Sequence, residues 1–168
     1  TAIGLENGEI DFYAFEIVAR NIVRLKKNDN LTVTPDGYAA IGPIDWLAFN
    51  TKTGKTADVN VRRAIAYAID RNFILKAIML GVADEARTGI HPGSPFYEPN
   101  VEPYNLDIDK ANKILDDAGY KKGSDGMRFG LTVDYGWPGL KPNAEYTKAA
   151  LKKIGIDVTV RAVSYTHL

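Results

Sequence analysis

Few side chains in this sequence are placed to do covalent chemistry. Gly54-Lys55-Thr56 imitates the end of a phosphate-binding loop, but that motif needs its first glycine at position 49, where Phe49 stands. His91 and His167 are the only 2 histidines and Cys is absent, so neither a His-based triad nor a thiolate or multi-histidine metal site assembles from them. Asp116 and Asp117 are adjacent on a helical pattern and point in different directions, so they read as a solvated helix face rather than an acid/base pair. Arg62 and Arg63 invite an anion site, yet in the first turn of a helix they read as a structural ion pair or a surface contact.

Non-covalent binding is the chemistry that remains. Tyr135 and Trp137 close an alternating apolar run that ends in Gly136-Trp137-Pro138-Gly139, and open α/β sheets bind ligands at the carboxyl ends of their strands. His91 lies in residues 82–103, which hold Gly89, Pro92, Gly93, Pro95, Pro99 and Pro103. That many breakers exclude a regular element, and long ordered loops of this kind often bind ligands. No catalytic residue, metal or cofactor is expected.

Stepping to the elements that must carry these groups, Asp58 is a good N-cap before Val61, Ile65, Ala68 and Ile69, which recur on one helical face. Asp70 reads as a second cap before Phe73, Ile74, Ala77 and Ile78, with Gly81 as the left-handed residue after that helix. Upstream, the pattern predicts a helix over 12–27, short strands over 31–34 and 38–41, and a strand over 44–50. Downstream it predicts a helix from Asp107 or Asp109 to before Gly119, a strand over 127–135, a helix entered at Pro142 and closed by Gly155, and a strand over 156–163. Strand, helix, strand in that order predicts a parallel βαβ unit.

The stretch Val61-Arg62-Arg63-Ala64-Ile65-Ala66-Tyr67-Ala68-Ile69-Asp70-Arg71, preceded by Phe49-Asn50-Thr51, resembles the signature of family 5 extracellular solute-binding proteins, the peptide- and nickel-type receptors of bacterial ABC importers. Asn7-Gly8-Glu9-Ile10-Asp11, the helix over 109–120 that ends Ala118-Gly119-Tyr120, and Leu151-Lys152-Lys153-Ile154-Gly155-Ile156-Asp157-Val158 resemble further motifs of the same family, so the likeness runs from about 5 to 163. It implies an α/β fold of the periplasmic-binding-protein type (type II, cluster C), a mixed sheet flanked by helices, here incomplete. It also implies a division into 1–42 as the end of the first lobe and 43–163 as most of the second, with 164–168 a non-native tail. The implied function is capture of a peptide-like solute for a membrane permease, with peptide or a similar small solute and the ABC permease subunits as partners. The implied place is periplasmic, or extracellular and membrane-associated.

The resemblance adds Trp46, where the family often sets an aromatic against the ligand backbone, and Lys141, where some peptide binders place a basic residue for the ligand carboxylate. It also brings the His91 loop toward the cleft. A second basic anchor of some relatives would fall on Ala66, which cannot serve, and the family's acidic anchor for a ligand amino group would lie beyond Val163.

Composition agrees with this class. Lys+Arg and Asp+Glu both number 21, so the basic excess of a nucleic-acid-binding domain is missing. No run of 18 apolar residues is present. No signal peptide is visible at Thr1-Ala2-Ile3-Gly4, so the reading expects an internal segment of a longer protein. The rival reading is a standalone α/β interaction domain or an enzyme of unknown activity.

Overall fold

A computed structural model of the chain describes residues 2–37 and 44–164. By contacts the chain divides into two compact units, one made of Thr1–Trp46 and Asn72–Val101, the other of Leu47–Arg71 and Glu102–Leu168. The segment 72–101 therefore groups with the first residues rather than with the helices that flank it in sequence.

The second unit holds the main core. Asp58 caps helix α3 (Val59–Ala68), its carboxylate accepting the Asn60 amide at 2.8 Å, as its sequence predicts. Asp107 does the same for α5 (Ile108–Asp117), accepting from the Lys110 amide at 2.8 Å. Strand β1 (Phe129–Tyr135) pairs in parallel with β2 (Ile156–Ala162), Phe129 opposite Ile156 and Tyr135 opposite Ala162. Helix α6 (Lys141–Lys152) makes the crossover, with Pro142 in its first turn where a missing N–H costs nothing. The expected βαβ unit is present; among the described residues the sheet is this parallel pair.

The period-two pattern sorts the strands. Leu131, Val133, Ile156, Val158 and Val160 join the core with Ile65 and Leu115, while Gly130, Thr132, Asp157, Thr159 and Arg161 face outward. Fully buried Ile65, Leu115, Leu151 and Ile154 tie α3, α5 and the end of α6 together. Truncating any of them to Ala carries a cost of about 2–5 kcal/mol. Gly155, at φ 75°, turns the chain from α6 into β2, and a Cβ there would lie 2.8 Å from the Gly126 carbonyl.

In the other unit, α1 (Ala2–Glu6) is joined to α2 (Ala19–Leu25) by an ion pair from Arg24 to Glu6 at 3.0 Å. The helix expected over 12–27 is confined to Ala19–Leu25. Phe15 sits at φ 68°, and the Glu16 carboxylate accepts from the Val18 amide at 2.8 Å and from Asn21 Nδ2 at 2.9 Å, so the helix begins only after Val18. Residues 31–34 form no strand, and the strand expected over 38–41 lies outside the described residues. Residues 44–50 likewise form no strand: Asp45 to Ala48 are exposed, and Asn50 ends the segment by accepting from the amides of Lys52 and Thr53.

The helix after Asp70 also differs from expectation. It starts as α4 (Arg71–Phe73) and widens at once into a π turn over Ile74–Ile78, which buries none of its side chains. Its left-handed exit falls on Leu80 (φ 52°) as well as Gly81 (φ 76°), and the Gly81 amide reaches back to the Leu75 carbonyl at 2.9 Å. Residues 82–103 contain turns and bends but no helix or strand, as their breakers require.

Candidate functional site

Three of the five candidate residues lie close in sequence at the carboxyl end of β1. Tyr135 is the last strand residue and half-buried. Trp137, in extended conformation (φ −138°, ψ 133°), starts a 3₁₀ turn over Pro138–Leu140, its carbonyl accepting the Leu140 amide at 3.0 Å. Lys141 follows as the exposed first residue of α6. Lys141 adds a positive charge to the first turn of α6, where the helix dipole also favours an anion. The indole of Trp137 folds over Gly139 so tightly that no Cβ fits there. The ring is thus held in place by its own turn and only half exposed.

Next to this group, Asp134 and Arg161 are register partners and meet through two bonds of 2.8 Å each, Nε to Oδ1 and Nη2 to Oδ2. The Arg161 guanidinium holds the Asp134 carboxyl below its ordinary range, and Asp134 in turn raises Arg161. This fork of charge on the outward sheet face was not picked out from sequence; the signal for it is the opposed charges one residue before each strand's last.

Trp46 and His91 belong to the other unit. Trp46 is 76% exposed in the segment 44–50. His91 Nδ1 accepts the Gly93 amide at 3.0 Å. Thr88 closes the preceding turn by bonding both the amide and the carbonyl of Ile90.

Two sequence readings need correction. Asp116 is not a bare solvated face: it accepts from Nη1 of Arg128, a side chain only 1% exposed, at 2.7 Å. That hydrogen bond keeps the Asp116 carboxyl below the usual carboxylate range. Asp117 pairs separately with Lys113 at 2.9 Å, one turn away, as an exposed ion pair. Arg62 makes no ion pair of the expected kind; its Nη1 donates to the carbonyls of Thr56 and Ala57 at 2.7 and 2.9 Å, stitching the 3₁₀ turn Lys55–Ala57 to α3. Gly54-Lys55-Thr56 thus enters a structural turn. Among the described residues no group of three His, Cys, Asp or Glu side chains is placed to hold a metal ion. No described helix is long and apolar enough to cross a membrane.

The model of the bacterial extracellular solute-binding proteins, family 5, middle part, matches residues 1–168. A dipeptide-binding protein of Escherichia coli K12 is 27% identical over 141 residues, which is 83% of this chain and 26% of that protein. Among solved structures, the periplasmic binding protein DppA of Helicobacter pylori, in complex with the peptide STSA, superposes on 99% of this chain with a TM-score of 0.81 and 28% identity. NikA of Brucella suis, in complex with Fe(III)-EDTA, superposes on 99% with a TM-score of 0.76 and 26% identity. The chain spans 31% and 35% of those two chains, about a third of each. The fold is that of a type II periplasmic binding protein, in part.

Proposed function

Because the chain belongs to the bacterial extracellular solute-binding proteins of family 5, we propose that it is a segment of the substrate-binding component of an ABC importer that captures peptide-like solutes. The names of relatives and structural neighbours carry peptides, glutathione, heme and chelated metal ions as ligands, which supports solute binding as the activity. Peptide is chosen here because Tyr135, Trp137 and Lys141 offer what a short peptide presents: backbone and side-chain faces for aromatic rings, and a carboxylate for an ammonium beside a helix N-terminus.

In this reading 1–42 closes the first lobe and 43–163 supplies most of the second. Tyr135, Trp137 and Lys141 are proposed to meet the ligand from the second unit, and Trp46 and His91 are the separate candidates of the first. The longer protein works outside the cytoplasmic membrane and hands its solute to permease subunits by opening its lobes, the hinge logic of binding proteins. Nucleic acid is not a partner.

The observation that carries the proposal is the family match along the whole chain. Two experiments test it. A longer reading frame containing this segment, with permease genes beside it, is the expected genomic setting. Titration of that longer protein with short peptides, chelated metal ions and heme should give heat with peptides alone; binding of a metal chelate and no peptide would overturn the choice of ligand.

A further inference from the structure

The chain leaves the second unit after Arg71 and re-enters it at Glu102, and the breaker-rich segment with His91 lies between. Both ends of this excursion are tied together by groups of the second unit. Arg71 Nη1 donates to the Tyr104 carbonyl at 2.7 Å. Tyr67 Oη donates to Glu102 Oε1 at 2.8 Å and accepts from Lys110 Nζ at 2.6 Å. The Tyr67 and Tyr104 rings stand 5.1 Å apart, and the Tyr67 carbonyl accepts the Asp107 amide at 2.9 Å. The last turn of α3 therefore grips the re-entering strand of chain at Glu102, Tyr104 and Asp107.

One backbone angle shows that this grip is under tension. Tyr104 lies at φ 43°, the left-handed region that a bulky aromatic rarely adopts. Such a conformation persists only where its surroundings over-determine it, and it clusters at clamps and binding sites. Tyr104 here is fixed at its carbonyl by Arg71 and at its ring by Tyr67. A connection needed only to span a gap would relax into extended backbone.

We propose that Tyr67, Arg71 and Tyr104 form a latch that closes the neck of the 72–101 segment and so pre-organises the loop carrying His91. They are positioning residues, acting through the loop and touching no solute. The benefit to ligand binding rests on the function proposed above: a loop ordered before binding does not lose that freedom on binding. The latch itself needs no ligand to be observed.

The test is backbone 15N relaxation on the 168-residue chain and its variants. Non-proline amides of residues 88–97 should show order parameters of about 0.8 in the parent and below about 0.6 in Arg71→Met. Values across β1 and β2 should stay unchanged, and Arg71→Lys, which can still reach the Tyr104 carbonyl, should restore the loop. Tyr67→Phe keeps the buried ring and removes only the hydroxyl, so it gives the same readout should Arg71→Met fail to fold. Loop values equal in parent and variants, whether high or low, overturn the latch. A titration of the longer protein with short peptides separates the two claims: a loosened loop with no peptide binding by any protein refutes the peptide function and leaves the latch standing.

Discussion

Arg128 donates to Asp116 across 2.7 Å, from a guanidinium 1% exposed to a carboxylate left 42% exposed. The same guanidinium also donates to Asn112 Oδ1 and the Ile154 carbonyl, each at 3.0 Å, and to the Tyr120 carbonyl. One buried cation thus joins the end of α5, the start of β1 and the turn after α6. Arg128→Met removes the donors and leaves buried carbonyls unpaired, a loss of about 3 kcal/mol or more. Urea unfolding of the two proteins measures it; a change within error would show the network to be ornamental.

The Asp116 carboxyl, held low by Arg128, gives a signed pH dependence. A depressed carboxylate stabilises the fold fully above its unfolded range, near pH 4. That contribution is lost as pH falls through the folded value. In Asp116→Asn the melting temperature should drop at pH 7 and the difference from the parent should shrink toward pH 3. A constant difference over that range contradicts the linkage.

Gly139 and Trp137 are matched: the indole occupies the space a Cβ would need. In a Trp46→Phe background, Gly139→Ala should push the Trp137 ring outward and red-shift its emission, with little change in far-ultraviolet circular dichroism. An unshifted spectrum would mean that the ring does not rest on Gly139.

Asp134 and Arg161 sit on the outward face with Arg161 62% exposed, so their fork should add little stability and should fade with salt. Arg161→Gln is expected to move the melting temperature by no more than a degree or so (about the yield of an exposed pair) and by less still in molar salt. A large loss would show that this fork supports more than itself.

What could be read from the sequence was what local chemistry decides. Asp58 announces its helix, and Asp107 or Asp109 the next, because a cap is settled within three residues, the structure giving the second cap to Asp107; Gly155 announces its turn because a side chain cannot take its angle. The parallel pairing of β1 and β2 followed from strand, helix, strand order. Arg128 was invisible because its partners at Asn112, Asp116, Tyr120 and Ile154 converge only in the fold. The helix expected over 12–27 failed for a local reason the periodicity does not weigh, the Glu16 carboxylate competing for the Val18 amide. Tyr135 and Trp137 were legible as a strand exit, and Lys141 as the residue before the Pro142 helix entry. Arg71 stood in the quoted signature, but its bond to the Tyr104 carbonyl depends on a chain re-entry that no local pattern encodes.

The proposed function is capture of a peptide-like solute by a longer two-lobed protein that contains this chain. Calorimetric titration of that longer protein with short peptides, beside Trp46→Ala, Trp137→Ala and Asp117→Ala, tests it most directly. Asp117 is the suitable control because it makes only an exposed ion pair with Lys113, whereas Asp116 supports the fold. Each Trp variant should bind about tenfold more weakly or worse, and Asp117→Ala should match the parent. The 168-residue chain alone should bind very weakly or not at all. Equal affinities for all four proteins would remove both tryptophans from the site, and tight peptide binding by the 168-residue chain would contradict the two-lobe account itself.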